Sequence, residues 1–181
     1  MNSYLAHREK EIWPAAEELR DVRPDAARKR LHECKDQSNA CEAIREIVSN
    51  LLGCEEMALF QVDRKHGRLS LIWSFGIQPN ALHLPQRLSD SALSSVIAGE
   101  THIDAGSAAP HIVIHSHTAS AFVPIHFKGK TAGMLALLRL LPQKTKIDDL
   151  DRGLLAVISS EAGKPLFGAR SKGPARRGKK R

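Results

Sequence analysis

The sequence predicts an α+β fold built on a mostly antiparallel sheet. Three observations point there. The apolar residues change period along the chain, from helical spacing to strand alternation and back. Neighbouring strand-like runs are joined by short polar turns, the connection that antiparallel hairpins use. The order (helix, two strands, short helix, short strand, two strands, helix) lacks the βαβ alternation of a parallel sheet.

Residues 1–37 are polar and charged. Pro14 and Pro24 each remove a backbone donor and crowd the preceding turn, so two helical pieces are expected, at 15–22 and 25–36. "SNACEAIREIVSNLLG" follows, with Ser38 to cap a helix and Gly53 to end it. Ala40, Ile44, Ile47, Val48 and Leu51 form its apolar stripe. Residues 56–62 then read as a strand, and "DRKHG" as a turn. The run 68–75 alternates, with Leu69, Leu71, Trp73 and Phe75 on one face and Arg68, Ser70 and Ser74 on the other.

A loop with two prolines covers 76–88. Residues 89–100 predict a short helix capped by Ser89 or Asp90, with Leu93, Val96 and Ile97 turned inward and Gly99 as its stop. "THID" reads as a brief strand. "ASAFVPIHF" and "TAGMLALLRLL" form a second hairpin about "KGK". Ala121, Val123, Ile125 and Phe127 alternate in the first arm, which sets His126 on the opposite side. Residues 132–138 are apolar almost without interruption, as in a central strand covered on both faces. The last helix opens with Thr145 and Asp148 in capping-box spacing. Its stripe is Ile147, Leu150, Leu154, Val157 and Ile158, and Gly163 and Pro165 end or bend it.

The net charge of +7 is local. Between Arg170 and Arg181 there are seven basic residues and no acidic one; the rest balances, 20 basic against 20 acidic. Low complexity is confined to that tail. No apolar run reaches the ~18 to 20 residues of a membrane span, and the charged N-terminus lacks a secretory core, so a cytoplasmic protein without membrane contact is expected. Cys34, Cys41 and Cys54 are too few and too unpaired for a disulfide framework or a zinc ribbon. Cys34 and Cys41, seven apart, have the spacing of one helical face.

The segment "SAFVPIHFKGKTAGMLALLRLLPQKTKIDDLDRGLLAVISSEAGKPL" resembles the ending of a GAF domain, a small-molecule sensor module of signalling proteins. Val123, Pro124, Gly129, Gly133, Leu135, Leu137 and Asp148 stand at the matching places, and "ALFQVDRKHGRLSLIWSFG" is similar to the family's first hairpin. The resemblance covers about 38–168, leaving 1–37 as a helical extension and 169–181 as a basic tail. It implies a GAF-like sheet of about six strands with the N- and C-terminal helices on one face. It also implies a ligand pocket on the other face, under roughly 73–122, and helices that pair between protomers. The cyclic-nucleotide pattern of the family is missing, and residues 55–181 contain no cysteine for a bilin or a thiol reaction.

The pocket candidates are Trp73, Phe75, Ser94, His111, His115, His117 and Phe122. His115 and His117, two apart, would share one face if they lay on one strand, which makes them weak candidates for haem or metal. The dimer-helix candidates are Ile44, Ile47, Leu51, Leu154 and Ile158. No nucleophile, base and orienting acid stand at a recognisable spacing, so catalysis is not expected. No particular cofactor is indicated. A homodimer and a protein signalling partner are expected, with the tail available to an acidic partner or, non-specifically, to nucleic acid.

Overall fold

The computed structural model describes residues 16–66, 68–79, 82, 91–103, 113–114 and 117–168, with backbone alone for 16–22, 91–92, 113–114 and 117–118. The expected caps at Ser89 and Asp90, much of the 76–88 loop and the basic tail lie outside these residues.

The first helix, α1 (Ala16–His32), runs through Pro24 where two pieces were expected. The proline still removes one helical hydrogen bond. Packing holds the helix instead. Ala27 and Leu31 are buried, and the helix lies along the last long helix, where Gly153 leaves space beside the Pro24 ring. The second helix, α2 (Gln37–Glu46), is capped two residues before the expected position. Asp36 caps it, accepting a hydrogen bond from the Asn39 backbone N–H at 2.8 Å. It continues as a π-helical turn, Ile47–Leu52, and stops at Gly53, whose φ of +78° suits glycine. The wider turn rotates the apolar stripe, so Leu52 is buried and Leu51 only half-buried. Cys34 falls between α1 and α2, and therefore shares no helical face with Cys41.

β1 (Cys54–Asp63) and β2 (Arg68–Phe75) form the first hairpin, as the alternation predicted. A bulge interrupts it. Leu59 pairs with Trp73 and Phe60 with Leu71, so Ile72 is extra. An extra residue reverses which side the following residues face. Leu69 and Leu71 pack on one side of the sheet, Ile72 and Trp73 on the other. A short helix, α3 (Ser91–Ala98), ends at Gly99 and leads into β3 (His102–Ile103). β4 (Val113–Ile114) and β5 (His117–Thr118) pair only with each other. β6 (Ala121–Phe127) and β7 (Lys130–Leu140) form the second long hairpin.

Among the described residues the main sheet has five strands, in the order β2-β1-β7-β6-β3, all neighbours antiparallel. That is one fewer than about six, because β4 and β5 form a separate ribbon. β7 is central, as its unbroken apolar run predicted. Its Leu135 and Leu137 face one core, and its Met134, Ala136 and Leu138 face another. The first core lies against α1, α2, α4 (Asp149–Glu161) and α5 (Gly163–Phe167), and includes Ile44, Leu59, Val123, Leu154 and Ile158. The second lies under α3 and includes Phe60, Leu93, Val96 and Phe122. The turn from α4 to α5 rests directly on β6. A Cβ at Gly163 would run into the His126 carbonyl oxygen, so only glycine fits there.

Candidate functional site

The sheet face away from the long helices is the first place to look for a pocket. Phe60, Phe122, Met134, Leu93 and Val96 occupy it, none more than 1% exposed. Phe122 therefore lies where a pocket floor was expected. Ser94 lies on the same helix as Leu93 and Val96 but is exposed. Trp73 and Phe75 are elsewhere. The β2 bulge sends Trp73 to the helix side, where its ring stacks on Phe75 with centroids 6.2 Å apart. Arg45 of α2 stands over the Phe75 ring at 5.4 Å. The structure thus separates these two aromatics from Phe122.

One strand ends at Ile114 and the next begins at His117, paired antiparallel with it. The shared face inferred for His115 and His117 falls outside the described residues. His111 and His115 lie outside the described residues, as does the His117 side chain. Among the described residues no three His, Cys, Asp or Glu side chains gather as metal ligands. His126 is turned as the alternation predicted, its ring against Gly99 at the end of α3.

Of the dimer-helix candidates, Ile44, Ile47, Leu154 and Ile158 are at most 3% exposed inside the chain's own core. Leu51 lines a shallow groove of about 190 Å³ with Ala26, Arg30 and Glu46. Arg30 and Glu46 bridge α1 to α2 at 2.7 Å, and this hydrogen bond holds the Glu46 carboxyl below its ordinary range. Among the described residues no helix is long and apolar enough to cross a membrane.

A larger cleft, of about 980 Å³, opens where α1, the β6–β7 turn, α4 and α5 meet. Leu31, Phe127 and Pro165 form its apolar floor, and Lys35, Lys128 and Lys164 reach it from three different elements. His32 adds a protonatable group, while His126 presents its backbone on this side and its ring to Gly99 on the other. The acid in the cleft, Glu161, is engaged by His32 at 3.0 Å and Arg28 at 3.8 Å. Sequence reasoning missed this cleft because its parts share no motif and its first part lies more than ninety residues before the others. The fragment "HFKGK" is the one local sign, since its turn must project a lysine.

No family model matches the chain, and no curated protein matches its sequence. Solved structures do match its fold. The GAF domain of a phosphoenolpyruvate-protein phosphotransferase from Coxiella burnetii superposes with a TM-score of 0.65 at 15% identity, covering 88% of this chain and 99% of that one. The corresponding GAF domain from Acinetobacter gives 0.62 at 13% identity, with 90% and 99% covered. A segment of a methyl-accepting chemotaxis protein, its residues 122 to 287, gives 0.58 at 16% identity, with 77% and 94% covered. With the antiparallel sheet, the helices on one face and a short helix on the other, these likenesses lead to one conclusion: the chain has the GAF fold.

Proposed function

We propose that this chain is a non-catalytic regulatory module of the GAF type. It binds a small molecule or a protein, and it signals through contact with a partner. The observation that carries this reading is the fold, which the chain has in common with domains of a phosphotransferase and a chemotaxis protein. In this reading the module is a cytoplasmic homodimer. The groove beside Leu51 supports pairing through the outer side of α1 and α2, since Ile44, Ile47, Leu154 and Ile158 are already used inside the protomer.

A second reading is a scaffold that works with no small ligand. The large side chains of Phe60, Phe122 and Met134, closely packed under α3, favour it.

The test is a ligand census on freshly purified full-length protein: visible spectrum, metal analysis, and mass spectrometry under native and denaturing conditions. The sensor reading expects a dimer carrying a bound mass that denaturation releases. A bare dimer would move the assignment to the scaffold. A haem band or stoichiometric metal that disappears in the His115→Ala/His117→Ala variant would replace both with a haem or metal sensor.

A further inference from the structure

We propose that the cleft between the end of α1, the β6–β7 turn and α5 docks an acidic peptide segment of a partner protein, with an apolar side chain of that segment on its floor. This rests on the reading of the chain as a module that signals by protein contact, and names where that contact is made.

The charge balance is the first support. Lys35, Lys128 and Lys164 meet at the cleft, and its acid, Glu161, is already engaged by Arg28 and His32. Among the described residues the one lysine in an ion pair is Lys144, at another place. The three cleft lysines are exposed and have no carboxylate of their own to answer them. Like charges gathered without counter-charge repel one another, and an anionic partner relieves that repulsion.

The backbone is the second support. Lys128 has φ of +52°, in the left-handed region that glycine or asparagine occupies more readily. Gly129 beside it, at +72°, makes the turn without needing a lysine. The lysine is held there against its backbone preference, at the rim of the cleft.

The floor chooses a peptide over nucleic acid. Phe127 and Pro165 are half-buried over the buried Leu31, and the apolar surface they leave suits an anchor residue. The Phe127 ring is occupied by the Lys128 ammonium at 5.2 Å and the Phe167 ring at 6.5 Å, so it offers no clear platform for a stacked base. Gly168 also lines the cleft, and the sequence continues from it into the seven basic residues between Arg170 and Arg181. Their charge has the sign of the rim, so they are no occupant for it. They extend its attraction for an acidic partner.

The experiment is selection from a random-peptide display library on the full-length chain. The peptides obtained are then measured by fluorescence anisotropy at low and high salt. The expected peptides combine Asp or Glu with Leu, Ile or Phe, and bind more weakly as salt rises. Lys35→Ala/Lys128→Gly/Lys164→Ala should weaken them about tenfold or more, the sum of three modest ion pairs. Glycine at 128 keeps the turn, and a thermal melt checks the fold. Should the triple variant fail to fold, Lys164→Glu alone decides, with loss of binding expected. No enriched peptide, peptides without acids, affinity unchanged by these substitutions, or equal binding of a single-stranded oligonucleotide would each overturn the proposal. A chain that passes the ligand census and fails here keeps the regulatory reading and loses this docking site.

Discussion

Cys34, Cys41 and Cys54 differ in reactivity because burial differs between them. Cys41 and Cys54 are 4% and 1% exposed, and burial pushes both thiols up to about 11. At about pH 8 only about one molecule in a thousand then carries the thiolate, which is the reactive form. Cys34 is half-buried between two helices. Burial raises its thiol too, opposed by the nearby Arg30 guanidinium, and its sulfur donates to the Arg30 carbonyl at 3.3 Å. The native chain should therefore take up one equivalent of a thiol reagent, at Cys34, and three after denaturation. Mass spectrometry before and after denaturant checks this, and Cys34→Ser should abolish the native reaction.

At the scale of the element, α4 depends on a small polar cluster at its start. Asp148 caps the helix, accepting from the Asp151 backbone N–H at 3.0 Å, and Asp151 returns a bond from the Asp148 N–H at 2.9 Å. Asp151 is fully buried and also accepts from Lys144 Nζ at 2.8 Å. Asp151→Ala strands a partly buried ammonium and the Asp148 backbone donor. It should cost about 2–3 kcal/mol, less than a fully buried pair because Lys144 reaches water. Urea unfolding measures this.

The pH sign follows from Asp148. The Asp151 backbone N–H, chiefly, holds its carboxyl below the ordinary range. Its folded pKa is depressed, so its contribution is complete above the unfolded value, about 4, and is lost as pH falls through the folded one. Asp148→Ala should cost about 1 kcal/mol at neutral pH and flatten the acid side of the stability curve.

This helix also marks what sequence can convey. Thr145 and Asp148 have capping-box spacing, yet the working pair is Asp148 and Asp151, three residues on. Both registers satisfy the local pattern. Lys144, reaching Asp151 from the preceding loop, favours one of them. The β2 strand teaches the same lesson. Its limits were legible at 68–75 from alternation, but the Ile72 bulge was not, because pairing with β1 creates it. That bulge is why Trp73 and Phe75 lie on the helix side while Phe122, on an unbulged stretch, faces α3.

At the scale of the molecule, the two-sided burial of β7 was readable from composition alone, and with it the layered architecture. The cleft was not, since it exists only after three separate segments meet. Charge also divides at this scale. Every described core residue lies within 16–168, and the charge beyond Gly168 is all basic. Truncation after Gly168 should leave the melting temperature within a few degrees, since no described core contact is lost. It should also abolish retention on a cation-exchange resin at neutral pH, because the remaining chain is electrically neutral. Calorimetry and chromatography on the two lengths check both outcomes.

β6 serves both faces of the protein with a single run of chain. Phe122, near one end, lies under α3, and His126 and Phe127, at the other, line the cleft. The span between is about five residues of extended chain, about 17 Å. Hydrogen bonds to β7 hold it on either side of Pro124, which has no N–H to give, and the register shifts between Ile125 and His126. The strand is thus two short stretches with a joint between them, so the residue packed under α3 and the residues beside the cleft stand on opposite sides of that joint.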